Sequence, residues 1–82
     1  MRARVFVTLK NGVLDPQGKA VETALHGLGF DGVSGVRQGR MIELEVDAAS
    51  EDEAREAVTR MCDALLANPV MERYRIEIGE KG

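Results

Sequence analysis

The chain has 82 residues, of which 44% are hydrophobic and 30% charged, and its net charge is −3. This length predicts one domain over residues 1–82, and the composition is typical of a globular protein rather than a disordered one. Both signs of charge are interspersed, so the chain lacks the basic face that nucleic-acid binding requires. It also lacks an apolar run long enough for a transmembrane helix or a signal peptide, and a cytoplasmic protein is expected.

The single cysteine and the single histidine limit metal and redox chemistry. One cysteine excludes an intrachain disulfide and a Cys-x-x-Cys motif of the metallochaperone type. Cys62 falls on the apolar face of a predicted helix, which favours a small core residue over a ligand or nucleophile. His26 falls on the polar face of another predicted helix with no orienting partner, which favours a solvated side chain. We therefore predict no catalytic residue, no metal ligand and no cofactor-binding residue in this chain.

Two patterns fill the first third of the chain. Apolar residues alternate from Arg2 to Lys10, which predicts a half-buried β-strand. A helical stripe then runs from Pro16 to Leu28, with Asp15 placed to cap the helix and proline at its first position. The stripe is expected to pack against a sheet, and its members are Ala20, Val21, Ala24, Leu25 and Leu28.

The middle of the chain predicts a β-hairpin. Short strand patterns at residues 33–37 and 40–47 flank a two-residue turn, Gln38-Gly39. The turn brings Arg37 and Arg40 together, and like charges repel unless a carboxylate lies nearby. The pair is therefore either a solvated turn or a docking point for an acidic partner surface or a phosphate.

The last third predicts a second helix and a final strand. Ser50 and Glu53 form a capping box at the start of the helix, and Pro69 ends it. An alternating pattern predicts a strand over residues 72–78, and Lys81-Gly82 is expected to fray.

The element order β-α-β-β-α-β predicts an α+β fold. A four-stranded antiparallel sheet with both helices on one face, ferredoxin-like or close to it, is the expected architecture. A sheet that binds RNA needs aromatic residues on its central strands and basic residues around them. The other face of this sheet instead carries Met41, Glu43 and Glu45 on one strand, and the two glutamates repel phosphate. A small phosphatase of this topology requires an arginine in the loop after the first strand. This loop offers Lys10 instead, whose ammonium group cannot bind a phosphate with two parallel hydrogen bonds as arginine does. The sequence therefore does not favour a phosphatase.

The loop from Lys10 to Gly18 contains two features that local rules do not explain. Val13-Leu14 places two apolar side chains in a loop, and Gly18 lies in the first turn of a helix, where it costs roughly 1 kcal/mol relative to alanine. A hydrophobic staple would pair Leu14 with the fourth residue of the helix, but that residue is Lys19, so a staple does not explain Leu14. Leu14 either folds onto the domain's own core or forms part of a surface that another molecule contacts.

Several stretches, taken together, resemble a known family. They are Val7 to Gly18, Val36 to Arg40, and the segment Leu65 to Val70 with its sequence Leu-Leu-Ala-Asn-Pro-Val. In order and at the expected length, they resemble the small PurS subunits of phosphoribosylformylglycinamidine synthase. The resemblance covers essentially the whole chain, and the expected fold is ferredoxin-like or PurS-like.

The resemblance implies a non-catalytic subunit of a ligase of de novo purine synthesis. The family's enzyme uses ATP, Mg²⁺ and glutamine to convert formylglycinamide ribonucleotide to formylglycinamidine ribonucleotide. This chain is expected to bind no cofactor itself. It is expected to help a large synthetase subunit (PurL) and a glutaminase subunit (PurQ) assemble, so that ammonia passes between them. Family members form dimers that can pair further into tetramers.

Subunit contact is therefore the expected role of the unexplained residues, Val13-Leu14 and Gly18 included. The primary candidates form one loop, namely Lys10, Asn11, Gly12, Val13, Leu14, Asp15, Pro16, Gln17 and Gly18. Secondary candidates are Arg37, Arg40, Asn68 and Pro69. The alternative from another class is a ferredoxin-like regulatory domain that binds a small molecule at a dimer interface.

Overall fold

The computed structural model of the protein describes residues 1–79. The elements, in chain order, are β1 (Arg2–Leu9), α1 (Pro16–Gly27), β2 (Gly39–Glu45), α2 (Glu51–Met61) and β3 (Glu72–Gly79). A π-helical turn, Cys62–Leu66, continues α2. The expected frayed end at Lys81-Gly82 lies outside the described residues. None of the helices in the described part is long and apolar enough to cross a membrane.

The strands form an antiparallel sheet in the order β2-β1-β3. Val5 in the central strand lies opposite Ile42 on one side and Ile76 on the other. Since side chains alternate along a strand, Ala3, Val5 and Val7 share one face and are fully buried. We call this the inner face, and the opposite, charged face the outer face.

Helix α2 covers part of the inner face. Ala54, Val58 and Cys62 recur at helical spacing and are completely buried in the core with the β1 valines. The predicted N-cap is confirmed, because the Ser50 hydroxyl accepts a hydrogen bond from the Glu53 N–H at 3.2 Å. The sequence predicts an apolar face made of Ala54, Val58, Met61, Cys62, Leu65 and Leu66. This face is buried only in part, since Met61 is 38% exposed and Leu65 82% exposed.

The prediction of a four-stranded sheet is wrong for the described residues. Residues 33–38, predicted to hold a strand and part of a hairpin turn, run as an irregular segment beside α1. Helix α1 supplies their hydrogen-bond partners: the Val36 N–H donates to Glu22 Oε1 at 3.2 Å, and the Val33 carbonyl lies 2.6 Å from His26 Nε2. Because these backbone groups are bound by α1, the segment does not pair with β2.

The prediction that both helices cover the sheet is also wrong. Only α2 packs extensively on it, and α1 projects away from it. The molecule is therefore elongated, with extents of 49 × 28 × 14 Å and a radius of gyration of 15.9 Å, against about 12 Å for a compact domain of this length. Along the apolar stripe of α1, Ala20 and Ala24 are exposed, and Leu28 is 74% exposed.

The absence of α1 from the sheet leaves an apolar hollow beside α2. Its volume is about 380 Å³, and no polar surface lines it. The lining residues come from β2, the end of α2 and the π-helical turn: Ile42, Leu44, Met61, Ala64, Leu65 and Leu66. Among residues 1–79, therefore, both the apolar stripe of α1 and a part of the inner face remain uncovered.

Candidate functional site

Two loops meet at the end of the sheet where β1 finishes and β3 begins. The first loop, residues 10–15, leads from β1 into α1, and the second loop, residues 67–71, leads from the π-helical turn into β3. Lys10 joins them, because its backbone N–H donates to the Met71 carbonyl at 2.9 Å and its Nζ donates to the Pro69 carbonyl at 2.6 Å. The structure therefore brings together predicted contact residues that lie 59 positions apart.

Asn68 and Pro69 shape the second loop. The Asn68 side-chain oxygen accepts from the Val70 N–H at 3.0 Å, a local bond that asparagine makes readily in turns. The Asn68 carbonyl accepts from the Met71 and Glu72 N–H groups at 3.2 and 2.7 Å. These bonds hold Val70 at the tip of a tight turn with its side chain 79% exposed.

Arg40 and Glu72 fasten the two edge strands to each other beneath the second loop. Arg40 Nη1 and Nη2 donate to the two Glu72 carboxylate oxygens at 2.7 and 3.1 Å, and Nη2 also donates to the Leu66 carbonyl at 2.7 Å. The Asn68 N–H donates to Glu72 Oε1 at 2.8 Å. Hydrogen bonds from Arg40 and then from Asn68 hold the pKa of the Glu72 carboxyl below its usual range.

Asp15 ties the start of α1 to the irregular segment. One carboxylate oxygen caps the helix by accepting from the Gly18 N–H at 2.8 Å, as the sequence predicted. The other accepts from the Gln38 N–H at 2.8 Å, and Arg37 Nε lies 3.9 Å from it. The bonds from Gly18 and Gln38, followed by the charge of Arg37, lower the pKa of the Asp15 carboxyl.

Arg37 is occupied within the chain. Its Nη2 atom donates to the Leu9 and Lys10 carbonyls, each at 3.2 Å, where β1 passes into the first loop. Both arginines of the predicted hairpin turn therefore have a carboxylate in this chain, Asp15 for Arg37 and Glu72 for Arg40. Neither needs an external anion to relieve the repulsion between them.

A close approach of the chain's own backbone accounts for Gly18, whose expected role in subunit contact stays a prediction. Gly18 is buried, and a Cβ atom on it would lie 3.0 Å from the Val36 carbonyl carbon and closer still to its oxygen. The irregular segment crosses directly over the first turn of α1, and only glycine leaves room for it. The costly glycine is thus explained inside the monomer.

Leu14 does not fold onto the core of its own domain. Its side chain is 79% exposed, whereas that of Val13 is half-buried. Val70 is equally exposed at 79%, and Met71 is 46% exposed. We call the exposed apolar residues of the two loops, Leu14, Val70 and Met71, the loop surface. The sequence indicated Leu14 but gave no reason to select Val70 or Met71, whose exposure depends on the turn that Asn68 closes.

The remaining loop candidates are exposed around this surface. Asn11, Gly12, Pro16 and Gln17 are exposed, and Gly12 has a φ of +87°, the left-handed conformation that glycine adopts without strain. A cleft of about 290 Å³ lies between Asp15, Gln17, Arg40 and Glu72. Its charged groups already pair within the chain. Glu72, which the sequence analysis did not select, is the residue that completes this arrangement.

Two further ionisable groups have shifted pKa values inside the fold. Burial raises the pKa of the Cys62 thiol, which keeps it protonated and unreactive. The Tyr74 hydroxyl donates to Asp63 at 3.0 Å, and that bond raises the pKa of the tyrosine. Within residues 1–79, no three histidine, cysteine or acidic side chains cluster as metal ligands would.

Comparison with known proteins gives a consistent family. The family model PurS, described as phosphoribosylformylglycinamidine (FGAM) synthase, matches residues 2–80. A Synechocystis protein named phosphoribosylformylglycinamidine synthase subunit PurS is 52% identical to this chain over 75 residues, which cover 92% of this chain and 75% of that protein.

Solved structures agree with the sequence comparison. Bacillus subtilis PurS aligns with a TM-score of 0.84 and 44% identity, covering 96% of this chain and 98% of that one. A chain in a Thermotoga maritima structure named PurLQS aligns with a TM-score of 0.85 and 34% identity, covering 93% of each chain. The α+β architecture found here is therefore the architecture of these proteins.

Proposed function

Because the chain belongs to the PurS family of subunits of phosphoribosylformylglycinamidine synthase, an enzyme of purine biosynthesis, we propose that it is the non-catalytic assembly subunit of that ligase. In this proposal it links a large synthetase subunit (PurL) to a glutaminase subunit (PurQ), so that ammonia released from glutamine reaches the synthetase. The Thermotoga maritima assembly named PurLQS, which contains a chain of this fold, supports such a partnership.

The internal pairing of the charged groups supports a non-catalytic role. Asp15, Arg40 and Glu72 are each held by two or more hydrogen bonds within the chain. A general acid or base must be free to exchange a proton with a substrate, and these groups are fixed instead. ATP, Mg²⁺ and glutamine are accordingly assigned to the other subunits.

The observation that carries the assembly role is the loop surface. Leu14 and Val70, both 79% exposed, lie on adjacent loops that Lys10 joins, with Met71 beside them. Exposed apolar side chains on a rigid polar frame are typical of residues that bury themselves in a partner's surface. Lys10 joins the two loops, Asn68 closes the turn of the second loop, and Asp15 ties the start of α1 to the irregular segment, so hydrogen bonds fix each part of the frame.

We further propose that the chain associates with a second copy through α1. The exposed stripe of α1 and the hollow beside α2 are both apolar, and the described residues cover neither of them. A ferredoxin-like sheet carries two helices on one face, and here only α2 is in place. Helix α1 of a second copy fits the vacant place, and the same contact repeats in the reverse direction by two-fold symmetry.

Reconstitution of the ligase from its three separately purified subunits tests the assembly role. Leu14→Asp and Val70→Asp are each expected to reduce complex formation about tenfold or more, the effect of removing an interface hot spot. Complex formation is measured by analytical gel filtration, and glutamine-dependent turnover is measured in parallel.

Two controls separate a lost contact from a lost fold. Thr23→Asp adds the same charge on an exposed site of α1 away from the loops, and it is expected to leave complex formation unchanged. The circular dichroism of the Leu14 and Val70 variants is expected to match that of the original chain. Full complex formation by both variants would remove the loop surface from the proposal. Full glutamine-dependent turnover without this chain would refute the assembly role itself.

A further inference from the structure

The outer face of the sheet has an uneven distribution of charge. At the end nearest the N-terminus, arginines and glutamates pair across strands: Arg2 Nε donates to Glu45 at 2.7 Å, and Arg4 Nε donates to Glu43 at 2.9 Å. At the other end, Phe6, Thr8, Arg73 and Arg75 lie together on β1 and β3. We call these four residues the arginine patch.

The two arginines of the patch are incompletely neutralised. Within residues 1–79, Arg73 has no carboxylate within ion-pair distance, and its Nε lies 3.4 Å from the Thr8 hydroxyl. Arg75 contacts Glu77, and its guanidinium also lies over the Phe6 ring, 4.3 Å from the ring centre. The Arg75 side chain remains 62% exposed. Both guanidinium groups can therefore accept a further anionic partner.

The geometry of the patch favours two anionic groups rather than one. Arg73 and Arg75 are two residues apart on one strand, so their Cα atoms are about 6.8 Å apart and their side chains share the outer face. A hollow of about 660 Å³ lies among Phe6, Thr8, Arg73, Tyr74 and Arg75. Beside it, Met41, opposite Phe6 in the sheet register, is 51% exposed and adds apolar surface.

We propose that the arginine patch binds an extended acidic segment of a partner protein, with carboxylates on alternate residues. An extended chain repeats its side chains on one face every two residues, so the spacing of its carboxylates matches that of Arg73 and Arg75. Each guanidinium offers a planar pair of donors that suits a carboxylate. The Thr8 hydroxyl adds a donor, and Phe6 with Met41 contacts the aliphatic part of the segment.

The surroundings of the patch favour this partner over other anions. Arg2 and Arg4 already pair with Glu45 and Glu43 on this face, so only Arg73 and Arg75 are left for an anion, fewer contacts than nucleic-acid binding uses. The hollow is open to solvent, whereas sites for small anionic molecules enclose most of the ligand. The patch lies on the outer face of the sheet, and the inference does not depend on the proposed assembly role of the loop surface.

Titration of the isotope-labelled full chain with a capped peptide of alternating glutamate and threonine tests the inference. Nuclear magnetic resonance is expected to show shifts of the Thr8 amide and of the Arg73 and Arg75 side-chain Nε–H groups. A matched peptide with glutamine in place of glutamate is expected to produce none of these shifts. Arg73→Glu and Arg75→Glu are each expected to weaken binding about fivefold or more, since each variant replaces an attraction with a repulsion.

Arg60→Glu is the matched control, because Arg60 is an exposed arginine of α2 that pairs with Glu56 at 3.8 Å. This variant is expected to bind the peptide as the original chain does. Equal binding of the glutamine peptide, or equal loss of binding in the Arg60 variant, would overturn the inference. The inference would also be overturned if inorganic phosphate or a single-stranded oligonucleotide bound at Thr8, Arg73 and Arg75 more tightly than the glutamate peptide.

Discussion

Gly18 is required because two backbone segments of the same chain cross at this residue. The Val36 carbonyl occupies the place where a side chain would begin. We predict that Gly18→Ala destabilises the protein by about 1–3 kcal/mol, the usual cost of forcing an extra carbon into a filled site. Urea unfolding followed by circular dichroism measures the change.

Gly27→Ala provides an internal control, because its expected effect on the free energy of unfolding has the opposite sign. Gly27 ends the same helix, and a Cβ atom on it would meet nothing within 4 Å. Alanine there is expected to stabilise the protein by about 0.4–1 kcal/mol, because it restricts the unfolded chain. If Gly18→Ala were neutral or stabilising, the crossing of residues 33–38 over α1 would be wrong.

Asp15 makes stability depend on pH. Its pKa is lowered in the folded protein, so its ionised form stabilises the fold above the ordinary carboxyl pKa of about 3.9. The stabilisation is lost as pH falls below that value. Asp15→Asn keeps an oxygen for the Gly18 N–H but presents an NH₂ group, which cannot accept, to the Gln38 N–H.

We therefore expect Asp15→Asn to lower the urea midpoint at pH 7 and to lower it much less at pH 3. The other carboxylates with lowered pKa values, Glu45 and Glu72, contribute equally to both proteins and cancel in the comparison. A gap between the two midpoints that stayed constant from pH 7 to pH 3 would contradict the assignment.

At the scale of elements, α1 is an amphipathic helix whose apolar stripe stays largely exposed among the described residues, although residues 33–38 bind its other side. Ala24 lies on its apolar stripe and is exposed, so a change there removes no contact from the monomer core. We predict that Ala24→Arg reduces self-association at least tenfold, because it would bury an unpaired charge in the contact proposed for α1. Sedimentation velocity over a range of concentrations measures the effect.

Thr23→Arg is the matched control, since it adds the same charge to the adjacent exposed position on the polar face of α1. It is expected to leave self-association unchanged. Leu65→Arg, in the apolar hollow, is expected to act like Ala24→Arg, because the two sites meet in the proposed contact. Weakening by Ala24→Arg but not by Leu65→Arg would place α1 against some other surface of the second copy.

At the scale of the whole molecule, the elongated shape leaves a small core and separates the contact surfaces. The largest fully buried side chains among the described residues are Val5, Val7, Val58 and Cys62, which is little apolar volume for a chain of this length. Small domains of this kind often gain stability from association. The arginine patch lies on the outer face of the sheet, the loop surface lies at one end of the sheet, and the stripe of α1 projects away from it.

The sequence by itself determined the regular elements whose signals are local. Strand alternation placed β1, β2 and β3 to within two residues, and the caps at Asp15 and Ser50 were correct because each bond spans three residues. Family membership followed from sequence as well, and the comparisons confirmed it.

The tertiary structure alone decided how α1 and residues 33–38 are placed. An alternating pattern is the same whether a segment pairs with a strand or lies along a helix. Here Glu22 and Asp15 accept hydrogen bonds from the backbone N–H groups that a fourth strand would have donated to a neighbouring strand. An apolar helical stripe likewise specifies that a face must be buried, without specifying against which surface. The roles of Gly18 and Glu72 depend on contacts with residues 18 and 32 positions away, and no local pattern in the sequence encodes such distances.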